Sequence, residues 1–159
     1  MTGLIMEYTQ NGRSDSKNQS AIVTGLGPIR CHSLRLRRGA DLMLSIKALC
    51  VEKKIAAGVV LSAVGCISRG LVRDASGATI RQICDHCEIV SLNGTVSEKR
   101  CHLHIALSRE DLSAIGGHLC EGCIINTTCE LVIAEIPGTV IEKEFDAETG
   151  YDELVFRST

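Results

Sequence analysis

From Cys101 to Ser108 the chain alternates without a break: apolar Cys101, Leu103, Ile105 and Leu107 against His102, His104, Ala106 and Ser108. A two-residue period is that of a half-buried strand, whose successive side chains point to opposite faces. His102 and His104 therefore share one face. A third imidazole, His118, follows Gly116-Gly117, where the missing Cβ atoms permit a tight turn and close backbone approach. This geometry predicts that three imidazoles converge.

Neutral imidazole is a good zinc ligand, and three protein ligands leave one position open for water, substrate or another donor. A His-x-His pair on a strand also occurs in ordinary sheets, where the rings stack or hydrogen-bond to backbone. The third histidine shifts the balance toward zinc or another divalent metal.

The remaining segments define the setting. Residues 1–20 are mostly polar and aperiodic, and they are predicted to form a flexible leader ahead of a domain over residues 21–157. Ile29 to Leu36 alternates as a strand, with Arg30, Arg35, Arg37 and Arg38 giving it a basic end. Asp41 offers an N-cap to a helix carrying Leu42, Ile46, Leu49 and Cys50 at helical spacing. Ala57 to Ile67 predicts a buried apolar strand, continued by Arg69 to Arg73 after a bend at Gly65 or Gly70. Thr79 to Cys84 and Cys87 to Leu92 are further strands, and Asn93-Gly94 predicts a hairpin turn into Thr95 to Ser97. After the histidine strand, Arg109 to Ala114 predicts a turn, Asn126 to Ile136 a long strand ended by Pro137-Gly138, and TVIEKEF and YDELVF a closing pair. Strands far outnumber helices, which gives an α+β class: a mainly antiparallel sheet packed with one or more helices.

Composition narrows the function classes. At 159 residues the chain fits one compact domain. A net charge of -2 and a pI near 6.2 argue against the broad basic footprint of an independent DNA-binding domain. With 3% aromatics and no Trp, a base-stacking platform for single strands is not expected. Nine cysteines, an odd number, exclude complete intramolecular pairing; with neither a secretory signal nor an uninterrupted apolar span, the expected home is the reducing cytoplasm, with no membrane partner. The pairs Cys84/Cys87 and Cys120/Cys123 have the spacing of half a four-thiolate zinc site. The strand-like RQICDHCEIV lacks the turns of a zinc knuckle, so buried structural thiols are the favoured reading. No nucleotide, flavin or haem motif occurs.

The blocks RLRRGADLMLSI, SAVGCISRGLV, EIVSLNGTVS, HLHIALS, GGHL and TTCELVIAEI stand in an order and spacing that resemble the PPC domain, named for plants and prokaryotes conserved. The likeness runs from about Ile22 to Phe156. It implies a mainly antiparallel sheet packed with helices, assembly as a homotrimer, and DNA binding assigned to single-domain members by analogy. It further implies a metal held by the histidines of HLH and GGHL, here His102, His104 and His118. Glu88 and Glu130 fall in recurrent blocks, either as acids near the histidines or as ion-pair partners at an interface. The Arg-Gly-Arg-Pro core of an AT-hook, whose arginines enter the minor groove, is absent from the sequence.

Three functions follow from these observations. The first is a trimeric regulatory or binding module with a three-histidine metal site, contacting another protein or, through Arg35, Arg37 and Arg38, DNA. The second is a zinc-dependent hydrolase or lyase, with Glu88 or Glu130 handling a proton. The third is an oligomer whose metal is structural only. The first is preferred, and catalysis is the lesser expectation.

Overall fold

The computed structural model describes residues 28–159, so the predicted leader at 1–20 lies outside the described residues. Strand β1 (Arg30–Arg37) leads into helix α1 (Leu42–Lys53). Asp41 caps the helix: its carboxylate accepts the Leu44 N–H at 3.0 Å and, 81 residues away, the Gly122 N–H at 2.6 Å. One side chain thus starts the helix and ties it to the later chain. Lys54 closes the helix in the left-handed region, its N–H bonded to the carbonyls of Cys50 and Val51. Leu42, Met43, Ile46 and Cys50 are buried, and α1 packs over β4 (Cys87–Val96) and β5 (Cys101–Ser108).

The other strands are β2 (Gly58–Arg73), β3 (Ile80–Ile83), β6 (Ala114–Leu119), β7 (Ile124–Glu135), β8 (Thr139–Asp146) and β9 (Tyr151–Ser158). All pairings among them are antiparallel, in the order β1-β7-β2-β4-β5-β6, with β3 on the end of β2 and β8-β9 as a separate two-stranded sheet. The sheet also closes on itself, because β6 pairs with the end of β2 through Val72–Leu119 and Arg73–His118. Strands β2, β4, β5 and β6 therefore form a ring, and the core inside it holds Ile67, Val72, Leu103, Ile105, Leu107 and Leu119. Among the described residues α1 is the only helix, so the α contribution to the predicted α+β class is a single element. No described helix is long and apolar enough to cross a membrane.

Three expectations change. Asn93-Gly94 is not a hairpin turn but lies inside β4, opposite His104 and Leu103. The glycine is needed for approach: a Cβ there would stand 1.9 Å from the His102 carbonyl oxygen, at a φ of 140°. The turn comes later, where the Ser97 hydroxyl accepts the N–H groups of Lys99 and Arg100. Gly116-Gly117 likewise belongs to β6 rather than to a turn, and the chain reverses at Arg109–Ser113, as the sequence placed it. Finally, β2 is buried on one face only. Its register shifts at Val60/Ser62 and Gly65/Ile67 leave Leu61 and Val64 more than half exposed, at 53% and 58%.

Candidate metal centre

The alternation of β5 buries Leu103, Ile105 and Leu107 and turns His102 and His104 to the opposite face. His104 lies directly across from His118 in the β5–β6 register. Cross-strand partners share a face, so the third imidazole arrives beside the first two. The ring centroids are 5.2 Å apart for His102–His104 and His102–His118, and 5.5 Å for His104–His118. One nitrogen from each ring lies within 4.8 Å of the other two.

The electrostatics favour the neutral, metal-binding form of His102 and His118. Burial, followed by the positive charge of Arg73, pushes His118 down to about 4, and burial with Arg100 next lowers His102. Their lone pairs are therefore free at neutral pH. His118 Nδ1 is also buried and unpartnered. An orphaned polar atom costs about 1–3 kcal/mol. Zinc–nitrogen bonds of about 2.0–2.1 Å bring tetrahedral donors to roughly 3.3 Å from one another, a contraction within reach of side-chain rotation. The donor set fits a divalent ion with an open position.

The other predicted residues lie elsewhere. Glu88 shares the face of the histidines, opposite Ser108, but stands four residues along from the His104 position, about 13 Å at strand rise. Glu130 sits on β7 between Arg35 and Val64, three strands from β5. Both are exposed, so neither is a buried acid beside the imidazoles; strand alternation puts them on the outer surface. Arg35 and Arg37 occupy one exposed face of edge strand β1, with Arg38 exposed beyond it, four inter-strand steps from β5.

Among the described residues the cysteine pairs join no cluster of metal donors. Cys87 and Cys123 are buried in the core and all nine thiols are free. Burial pushes the Cys123 thiol up to about 12, away from the thiolate that zinc requires. Cys87 and Cys123 pack as small apolar side chains, as the favoured sequence reading has it, whereas their pair mates differ from it: Cys84 is exposed and Cys120 half-buried.

The residues missed from sequence are Arg73, Asn93 and Thr95. Asn93 and Thr95 flank His104 and His102 across the β4–β5 ladder, which the misplaced turn concealed. Arg73 reaches His118 only through the closure of β2 onto β6, a pairing between segments 45 positions apart that no local pattern announces.

A mainly antiparallel, ring-closed sheet with one helix and a three-histidine cluster on its outer face defines the class of protein. The sequence model of the Plants and Prokaryotes Conserved (PCC) domain matches residues 21–137, and the chain belongs to that family. It is 35% identical over 128 residues to the bifunctional protein GlmU of a Synechococcus strain, an alignment covering 80% of this chain and 20% of that protein. The chain thus spans about a fifth of the length of the curated relatives it matches. Among solved structures, a hypothetical protein from Salmonella enterica matches with a TM-score of 0.82 and 30% identity, over 85% of this chain and 99% of that one. A metal-containing protein from Archaeoglobus fulgidus matches with a TM-score of 0.69 and 27% identity, over 84% and 99%. The hairpin β8-β9 lies beyond the span of the family match.

Proposed function

We propose that this protein is a homotrimeric, metal-binding PCC-domain module that works by docking onto a regulatory protein or DNA. Zinc or another divalent ion sits on His102, His104 and His118. The observation that carries this reading is the convergence of three imidazole donors within 4.8 Å, with no carboxylate in the cluster. The metal-containing relative from Archaeoglobus fulgidus supports it. Self-association is supported by Leu61, Val64 and Val90, which leave apolar surface on the outside of the sheet. A matching segment that makes up a fifth of much longer relatives fits a module acting by association. If the partner is a duplex, Arg35, Arg37 and Arg38 are the residues to meet its phosphates.

A second reading, metal-assisted hydrolysis or lyase chemistry, has one observation in its favour: a cavity of about 350 Å³ opens beside His104 and His118. There a bound ion would supply a water of lowered pKa.

Metal content and solution mass test the proposal together. Protein equilibrated with zinc and then desalted should retain one ion per chain and show three times the 17.1 kDa chain mass. His102→Ala and His118→Ala should lose the ion. Wild-type protein that retains none overturns the metal site, and a monomer overturns the trimer. Replacing Arg35, Arg37 and Arg38 by Ala should abolish any salt-sensitive gel shift; an unchanged shift removes that patch.

A further inference from the structure

Positive charge gathers around the cluster, from Arg73 and Arg100, and nearby acids offset it only in part. A divalent ion on three neutral imidazoles keeps both its charges. Arg73, paired in register with His118, lines the same cavity as His104 and His118, together with Gly116, Gly117 and Asp74. The Asp74 carboxylate, which stands next to Arg73 in sequence, is engaged by Arg81 Nε at 2.9 Å and by the Ser76 hydroxyl. Among the described residues no carboxylate pairs with Arg73. Arg100 adds a second positive charge near His102 and His118, with Glu153 opposing it at His102.

We propose that this cavity binds a small oxyanion, a carboxylate or a phosphate, between the open position of the metal and the guanidinium of Arg73. The inference rests on the metal reading and names the ligand class of that site. Three features carry it. The guanidinium is a planar fork suited to two oxygens of such a group. Arg73 lines a cavity shared with two of the three ligands. The anion would also give Arg73 the negative partner that no carboxylate among the described residues supplies. Arg73 is then a binding residue rather than a metal ligand.

The test uses cobalt(II) as the metal, because its visible spectrum reports changes in coordination. Full-length protein is first titrated with cobalt, then with acetate and, separately, with inorganic phosphate. Both anions should alter the cobalt spectrum of the wild type if the site accepts oxyanions at large; a response to one alone identifies the class. Arg73→Gln should still bind cobalt, which is saturated before the anion is added, and lose about tenfold to a hundredfold in anion affinity, the usual effect of removing a charged hydrogen-bond donor. Arg73→Lys should recover part of the loss. Wild-type protein that binds cobalt but neither anion, or Arg73→Gln that binds them undiminished, overturns the proposal. If cobalt itself does not bind, the metal reading fails separately. Phosphate titration of the metal-free protein, followed by imidazole NMR signals, then decides the anion site: Arg73-dependent shifts support it and their absence ends it.

Discussion

Gly116→Ala tests whether the backbone approach of β6 to β5 is what assembles the histidine cluster. A Cβ at residue 116 would lie 2.1 Å from the Ile105 carbonyl oxygen and 3.1 Å from the Ala106 Cα. Both are main-chain atoms, which cannot rotate away as a side chain would. Restoring ordinary contact requires the two strands to part by about 1 Å, and such overpacking costs about 1–3 kcal/mol. One weakened ladder hydrogen bond adds about 1 kcal/mol, for a total of about 2–4 kcal/mol. The same displacement separates His104 from His118, which are neighbours across this ladder, and should weaken zinc about tenfold or more, as loss of ligand support does elsewhere. With no Trp in the chain, urea unfolding is best followed by far-ultraviolet circular dichroism, and zinc affinity by competition with a chromophoric chelator. Gly138→Ala is the control: nothing lies within 4 Å of its added Cβ, but its φ is 73°. It should cost about 1 kcal/mol from backbone strain alone and leave zinc binding unchanged. A Gly116→Ala protein with wild-type stability and zinc affinity would refute the close-approach argument.

Other perturbations report on separate parts of the molecule. Asp41→Ala removes a helix cap and the tie to Gly122 together and should cost about 2–3 kcal/mol in urea unfolding, whereas Asp41→Asn should keep most of the capping. The pH dependence of the metal-free protein follows from His118, held near 4 by burial and then by Arg73, while an unfolded histidine titrates near 6.5. Between these values the unfolded chain binds more protons, so stability is full above about pH 6.5 and falls as the pH drops toward 4. The loss should be about 1–2 kcal/mol once solvent screening is allowed for, and His118→Gln should flatten the slope. Saturating zinc at about 100 times its dissociation constant should stabilise the wild type by about 2.7 kcal/mol; a chelator should reverse the gain, and His102→Ala should not show it.

The parts of the fold governed by local rules were legible in the sequence. The alternation of Cys101–Ser108 placed two histidines on one face, Asp41 announced its helix, and Pro137-Gly138 ended β7. Errors arose where one residue pair serves two purposes. Asn-Gly and Gly-Gly are turn formers, yet Gly94 and Gly116 sit inside strands because a Cβ on either would strike the carbonyl of His102 or Ile105. Seen from the sequence, a glycine demanded by strand contact looks the same as one demanded by a turn. The apolar run of β2 misled in another way. Its register shifts turn Leu61 and Val64 outward, and nothing local distinguishes an apolar residue in the core from one on the outer surface.

The closure of β2 onto β6 has a chemical consequence that the histidine triplet alone does not convey. Without it, the sheet would end at β6, and His118 would lie on an open edge beside solvent. With it, Val72 and Arg73 are laid along Leu119 and His118, shielding the third imidazole from water while setting a guanidinium beside it. Both effects act in one direction: each disfavours the imidazolium, which keeps the nitrogen available to a cation. The arginine charge would, however, also repel that cation, and arginine cannot relieve the repulsion by losing its proton. A site so built holds its metal best with a negatively charged companion. The same strand contact that prepares the ligand would thus also favour an anionic companion for a metal bound there.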